Sequence, residues 1–440
     1  MRAVGARRPL ACGAVLATLS SLWLGAAWGE QTPVGIHPSP LQDLPSEEGA
    51  HLQQIRELAP GAWLDLGPPA ADPRFGVAYG ASWGGNALQY DPVGRGAYRA
   101  GEGRHAFVKP DGYGQDDFWF YDIHQHRWLC LYPGTNTHEL LEQVKQGRIA
   151  VDEVGRPVTP GGGTVPGHLL IHGFGYLAVN TDTGRLRVFA EGGFNRYYMP
   201  GVSRDRETRE YSGDVHEAIT RLEAQGLGQG KRTFGPWAYD PESGDFLRPL
   251  AKGSLRKVGG YPAFVYLPAE KKFFLAGRKG QAYFDPQAGA WQPIKARGEG
   301  LQGYDFGAAV DTERNRVYVG RDEQTLSFFS VARQAWVKVD PSGAPQGLTF
   351  SANAGGIYYH SRQDVMVVFS FESRRMAYLD PERNEWLGSH PIASDFAGKR
   401  TNAVFYDPEL DVFFIYTASD SRANGSMWVH RVKAIPAVER

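Results

Sequence analysis

Six stretches of the chain share one hydrophobic pattern: an apolar run of strand length, a short polar turn, and a second apolar run. They are ALQYDPVGRGAYRAG, YLAVNTDTGRLRVFAEGG, AFVYLPAEKKFFLAG, GAAVDTERNRVYVG, GGIYYHSRQDVMVVF and AVFYDPELDVFFIYT. Their turns carry Asp-Pro, Asn, Gly and charged residues, which suit tight reversals between antiparallel strands. A second register interleaves with the first. Tyr121-Asp122 is followed by Trp128, Tyr239-Asp240 by Phe246, Phe284-Asp285 by Trp291, Phe329-Ser330 by Trp336 and Leu379-Asp380 by Trp386, each aromatic six residues after its Asp or Ser. Two hairpins per copy make a repeating unit of four strands.

From Asp240 to Asp380 the second-register positions lie 45, 45 and 50 residues apart, the length of a propeller blade. The 118 residues from Asp122 to Asp240 are too many for one bare blade, and they hold two charged, helix-prone segments, HELLEQVKQGRIAVDEVG and SRDRETREYSGDVHEAITRLEAQGLGQG. Two insertions in the second blade are therefore expected, at about 136–163 and 194–233. Six copies of the first hairpin predict a six-bladed all-β propeller over residues 59–440, with seven blades as the alternative. MWVHRV, at 427–432, is the third strand of the last blade, and no Trp-containing fourth strand follows it. GAWLDLG, at 61–67, supplies that strand from the N-terminus, which closes the ring and removes the exposed edges of an open array.

Composition agrees with this reading: 55 Gly, 29 Pro and 12% aromatic residues are what many short strands and tight turns require. With 47 Lys+Arg against 48 Asp+Glu, the charge balance points to neither nucleic acid nor a bulk anionic partner. Residues 1–29 have the form of a signal peptide, with Arg2, Arg7 and Arg8 before an apolar stretch and Ala27-Trp28-Gly29 as the cleavage site. The pair Arg7-Arg8 lacks the neighbours of a twin-arginine signal, and Cys12 precedes the apolar run, unlike a lipoprotein anchor. A secreted or periplasmic product with no membrane span is expected. Residues 30–58, polar and Pro-rich, are expected to be a linker. Beyond the signal Cys130 is the sole cysteine, so burial and strand pairing hold the fold without an internal disulfide.

The aromatic-Asp pairs with Trp six residues later, and Gly192-Gly193 after a second strand, resemble the kelch-repeat β-propellers, the family that includes the propeller of galactose oxidase. The resemblance spans about residues 61–434. It implies a blade whose 2–3 loops and links to the next blade share one face, with the 1–2 and 3–4 turns on the other. It implies little about function, because such propellers serve as binding scaffolds and as enzymes.

That geometry sorts the candidate chemistry. His124 and His126 form an H-x-H of metal-binding spacing, but they fall in a 3–4 turn and are expected to be a solvated hairpin tip. Tyr359-His360 occupies a first turn, where the family's copper-binding Tyr-His pair begins a first strand. Cys130 lies in a fourth strand beside Trp128 and is expected to be a small buried hydrophobe. The 2–3 face gathers Arg196, Tyr197, Lys257, Tyr261, Arg278, Tyr304, Arg321 and Arg400 as ligand-binding candidates. Arg holds carboxylate or sulfate bidentately and aromatic faces stack on sugar rings, so this mouth suits a carbohydrate or an anionic small ligand.

The leading expectation is a ligand- or partner-binding module, with a protein partner as the other kind of occupant. The alternative is a polysaccharide lyase acting by β-elimination, with His105 or His172 as base, Tyr198 as acid and an Arg on the uronate carboxylate. A galactose-oxidase-like metalloenzyme stands third. Paired-carboxylate hydrolysis has few acids on this face, Glu102, Glu191 and Asp305. No phosphate loop is present.

Overall fold

The computed structural model describes residues 36, 38–78, 88–100, 117–134, 142–151, 157–158, 176–189, 203–227, 235–247, 249–253, 255, 258, 263–301, 306–320, 326–340, 342–350, 355–396, 402–417 and 425–435. In chain order, helix α1 (His51–Arg56) and β1 (Trp63–Asp65) precede blade one, formed by β2 (Leu88–Asp91), β3 (Gly96–Ala100), β4 (Phe118–Asp122) and β5 (Arg127–Tyr132). After β6 (Ala150–Val151) and β7 (Pro157–Val158), blade two opens with β8 (Leu177–Asn180) and β9 (Arg185–Val188). It is interrupted by β10 (Ser203–Arg204), β11 (Tyr211–Ser212) and helix α2 (Asp214–Ala224), and closes with β12 (Trp237–Tyr239) and β13 (Phe246–Leu247). Blade three is β14 (Ala263–Leu267), β15 (Lys272–Gly277), β16 (Gly280–Asp285) and β17 (Ala290–Ile294). Blade four is β18 (Gly307–Asp311), β19 (Arg316–Gly320), β20 (Leu326–Ser330) and β21 (Ala335–Lys338). Blade five is β22 (Gly355–His360), β23 (Val365–Ser370), β24 (Arg375–Asp380) and β25 (Glu385–Pro391). Blade six is β26 (Asn402–Asp407), β27 (Val412–Thr417) and β28 (Ser426–His430), with β1 as its fourth strand.

The fold is thus a six-bladed propeller closed by the N-terminal strand, with Trp63 opposite His430 and Asp65 opposite Trp428. One turn device explains both sequence registers. The Asp at the end of a strand accepts backbone N–H groups two and three residues on, as Asp122 Oδ1 does from His124 at 3.0 Å and Gln125 at 3.3 Å. Four residues after it the chain adopts a left-handed conformation, at Arg95, His126, Asn315, Asn384 and Asp411, or at Gly184 and Gly289. The loop therefore pairs Asp122 with Arg127, and the residues one step further out, Tyr121 and Trp128, face each other across the strands. Phe284 and Trp291, Phe329 and Trp336, and Leu379 and Trp386 are opposed in the same way. The six-residue spacing is the width of this hairpin.

Inward-facing residues of neighbouring blades pack into seam clusters, such as Trp119, Trp128, Phe405 and Phe414 between blades one and six, or Tyr98, Phe118, Leu186 and Phe246 between blades one and two. Several outer edges are covered by the chain leaving the previous blade. Lys252 bridges in parallel to Ala290, and Arg297 to Ala335, with Trp336 N–H donating to Arg297 O at 2.9 Å. The turn away from that contact is Gly298, at φ +83°, where a Cβ would lie 2.6 Å from Trp336 O. Gly298→Ala is expected to destabilise the fold by at least about 1 kcal/mol, from left-handed strain plus a clash with backbone, as measured by urea unfolding.

Three sequence expectations are corrected. The described part of the segment expected to be a linker is packed on the propeller: Leu52 and Ile55 of α1 are buried in the seam between blades one and six, and Ser39 Oγ lies 3.0 Å from the Tyr239 hydroxyl. The His124/His126 turn is consequently covered, not a solvated tip. His51 Nε2 contacts Ile123 O at 2.7 Å, Gly49 N–H donates to His124 O, and His126 Nδ1 is 2.7 Å from the Tyr121 hydroxyl, with burial holding its pKa down at about 4. Of the two insertions, the first lies in the link before β8, and only the second lies within blade two, between β9 and β12. They share a small core in which Val144 and Ile149 meet Val215, Ile219 and Leu222 of α2. Residues 1–35, and with them the signal peptide, lie outside the described residues.

Candidate functional site

The first strands β2, β8, β14, β18, β22 and β26 stand side by side around the axis, each beside the next and β26 beside β2. Their 1–2 turns are stitched together around the whole ring. Between blades one and two the Tyr98 hydroxyl donates to Gly184 O at 2.9 Å, and between two and three Tyr266 donates to Asp182 at 2.7 Å. Asn315 donates to Glu270 at 2.9 Å between three and four, and Arg314 makes a bidentate pair with Asp364, at 2.7 and 2.6 Å, between four and five. Arg362 donates to Pro408 O at 2.7 Å between five and six, and Tyr90 and Arg95 reach Asp407 to close the circle. A cyclic belt of this kind fixes the turns that frame the axis.

Within the belt the axis holds a cavity of about 300 Å³ to which all six first strands contribute. Its wall is aliphatic, with Val179, Val265, Ala308, Val310 and Val404, and tyrosines 90, 358, 359 and 406 stand among these residues. Thr181, Thr312 and Ser361, from the 1–2 turns, line the same space and place the cavity at the 1–2 turn end of the axis. The phenols are occupied as donors: Tyr359 to Asp364 at 2.8 Å, Tyr406 to Asp411 at 2.8 Å and Tyr358 to Gly355 O at 2.9 Å. Burial pushes each of them above the usual phenol range, so none is a base near neutrality. The arrangement is a preformed, mostly apolar pocket with a few hydroxyls at its rim, which is the composition of a small-molecule binding site.

Of the sequence-derived site, Arg278 alone is among the described residues. His105, His172, Arg196, Tyr197, Tyr198, Lys257, Tyr261, Tyr304, Arg321 and Arg400 lie outside the described residues. Arg278 is exposed in the β15–β16 turn, on the 2–3 face opposite the cavity, beside Lys279, whose backbone N–H donates to Val258 O. His360 is buried in a 1–2 hairpin 3.4 Å from Asp411, and burial, partly offset by that carboxylate, holds its pKa at about 4. Cys130 is buried among apolar residues in the blade one–six seam. No group of three or more His, Cys, Asp or Glu arranged to hold a metal occurs among the described residues. The cavity wall escaped the sequence reading because its Val and Ala look like core.

No family model matches the chain, and no curated protein matches it. Among solved structures it is similar to an auxiliary nutrient binding protein from Bacteroides ovatus, at 10% identity and a TM-score of 0.44, over 84% of this chain and 76% of that one. A second such protein, from Bacteroides thetaiotaomicron, matches at 11% identity and a TM-score of 0.44 over the same shares. No described helix is long and apolar enough to cross a membrane.

Proposed function

We propose that this chain is an exported, kelch-type binding propeller whose ligand is a carbohydrate seated in the axial cavity. The observation that carries the proposal is the six-walled pocket of about 300 Å³, with aliphatic sides for the C–H face of a sugar ring and Thr181, Thr312 and Ser361 at the rim for its hydroxyls. Binding is favoured over catalysis because the described ionisable groups around the pocket are committed, the phenols as donors and Asp311 and Asp407 to the backbone N–H groups of their turns. At the opposite face we assign Arg196, Tyr197, Lys257, Tyr261, Arg278, Tyr304, Arg321 and Arg400 to a cationic and aromatic mouth that draws an anionic ligand.

The test is calorimetric titration of the mature protein with neutral mono- and disaccharides, alongside Ala308→Phe, which fills the pocket from its wall. Binding weakened at least about tenfold in the variant, with cooperative unfolding retained, is the expected result. Equal binding by both proteins would move the site off the axis.

A further inference from the structure

The second strands of the six blades align through their pairing with the first: Leu88 faces Arg99, Leu177 faces Val188, Phe264 faces Leu275, Ala308 faces Val319, Ile357 faces Val368 and Val404 faces Ile415. Each of these second-strand positions is turned towards the preceding blade. Five of them are aliphatic and belong to the seam clusters. Blade one alone carries a cation there.

Arg99 is fully buried, and none of its three guanidinium nitrogens has a hydrogen-bond partner among the described residues. Its guanidinium lies 5.3 Å from the ring centre of Tyr416 and 6.0 Å from that of Trp128. Ring faces offset part of the charge, but they satisfy no N–H edge, and a buried guanidinium with unmet donors is strongly unfavourable. The nearby acceptors of the seam are already engaged: Asp117 accepts from Trp119 Nε1 at 2.6 Å, Asp72 Oδ2 from Cys130 N–H at 3.1 Å, and the Tyr416 hydroxyl donates to Ala78 O and accepts from Gly425 N–H. Since five blades build this position from an aliphatic side chain, the fold itself does not call for a cation.

We propose that Arg99 is an anion site in the seam between blades one and six, and that it takes a carboxylate-bearing small molecule from the 2–3 loop face. Arg99 is the penultimate residue of β3 and Tyr416 the penultimate residue of β27, so both lie near the 2–3 ends of their strands. The two rings offer the guanidinium no oxygen acceptor, and its unmet N–H groups form the fork that pairs bidentately with a planar two-oxygen group. The site is separate from the axial cavity and does not depend on a sugar binding there.

The test uses the mature full chain at constant ionic strength, with acetate and D-glucuronate as probes, glucose as the neutral control and sulfate as the tetrahedral one. Both carboxylates are expected to raise the unfolding midpoint and to shift the Arg99 Nε–H resonance, while glucose and sulfate do neither. Arg99→Leu, which restores the residue type of the other blades, is expected to raise the midpoint of the free protein by about 2–4 °C and to weaken glucuronate binding at least about 30-fold. Failure of both carboxylates to bind the wild type would overturn the proposal, as would binding that survives in Arg99→Leu. A response to sulfate alone would overturn the carboxylate assignment. An Arg99→Leu chain that folds less stably than wild type, together with an Arg99 resonance that neither carboxylate moves, would mark Arg99 as structural and refute the site. The resonance shift needs no variant and decides the case if Arg99→Leu fails to fold.

Discussion

A chain that begins at residue 68 is expected to lose cooperative unfolding and to aggregate, whereas one that begins at residue 38 folds. The missing segment supplies the fourth strand of blade six and the helix that plugs the seam beside it. Backbone bonds from Leu66 N–H to Met427 O, from Met427 N–H to Gly67 O and from Gly61 N–H to Arg431 O are lost, leaving β28 as an open edge. Leu52 and Ile55 leave the seam core, and Leu58, Leu64 and Leu66 leave its margin. Burial of the first two alone is worth about 3–6 kcal/mol, a large part of the roughly 5–15 kcal/mol by which a domain is stable. Light scattering and urea unfolding of the two chains measure the difference, and Ile55→Ala in the longer chain is a milder check, at about 2–5 kcal/mol. A truncated chain that unfolds at the same urea concentration as the longer one would show that the ring does not depend on N-terminal closure.

The architecture was legible because its determinants are local. An Asp that caps a four-residue loop fixes the partner of the preceding aromatic, so the repeat appears in the sequence as Tyr121 with Trp128 or Phe284 with Trp291 without knowledge of distant contacts. What the sequence hid came from contacts between remote segments. HLQQIR has only two strongly apolar residues, yet Leu52 and Ile55, three apart on a helix, suffice to anchor it, and its arrival turns an exposed-looking histidine turn into a covered one. The polarity of 38–58 described its outer surface and not its position.

The candidate site was less legible for a different reason. Charged and aromatic loop residues stand out in a sequence, while a pocket wall of Val179, Val265, Ala308 and Val404 is indistinguishable from core until the six strands are placed around an axis. Arg99 is the intermediate case. It is plain in GAYRAG, and superposing that stretch on KFFLAG or RVYVG sets a cation against Leu275 and Val319. Periodicity identifies the repeat, and departure from periodicity within it identifies the position that the fold alone does not explain.

Asp91→Asn is expected to stabilise the protein at neutral pH and to have no stabilising effect near pH 4. Asp91 ends β2 in the same role as Asp311 and Asp407, but those two are accompanied by Arg314 and Arg95, whereas Asp91 has no cation within ion-pair distance among the described residues. Its support is the N–H groups of its turn, Val93 at 2.9 Å among them. Burial dominates and pushes its pKa up from 3.8 to about 6. A carboxyl whose folded pKa lies above its unfolded one stabilises the folded state while both forms are protonated, below about pH 4, and that contribution is lost as the pH rises through about 6. At pH 7 the ionised, buried Asp91 therefore works against folding, by about 1–3 kcal/mol for a shift of roughly two pH units. Asn keeps an oxygen for the turn N–H groups and carries no charge, so the variant recovers that amount at pH 7 and converges on wild type at pH 4. Urea midpoints of both proteins between pH 4 and 8 give the profile. A difference that is constant with pH, or one that grows towards acid, would show that Asp91 is ionised throughout and that the turn, not the charge, governs this position.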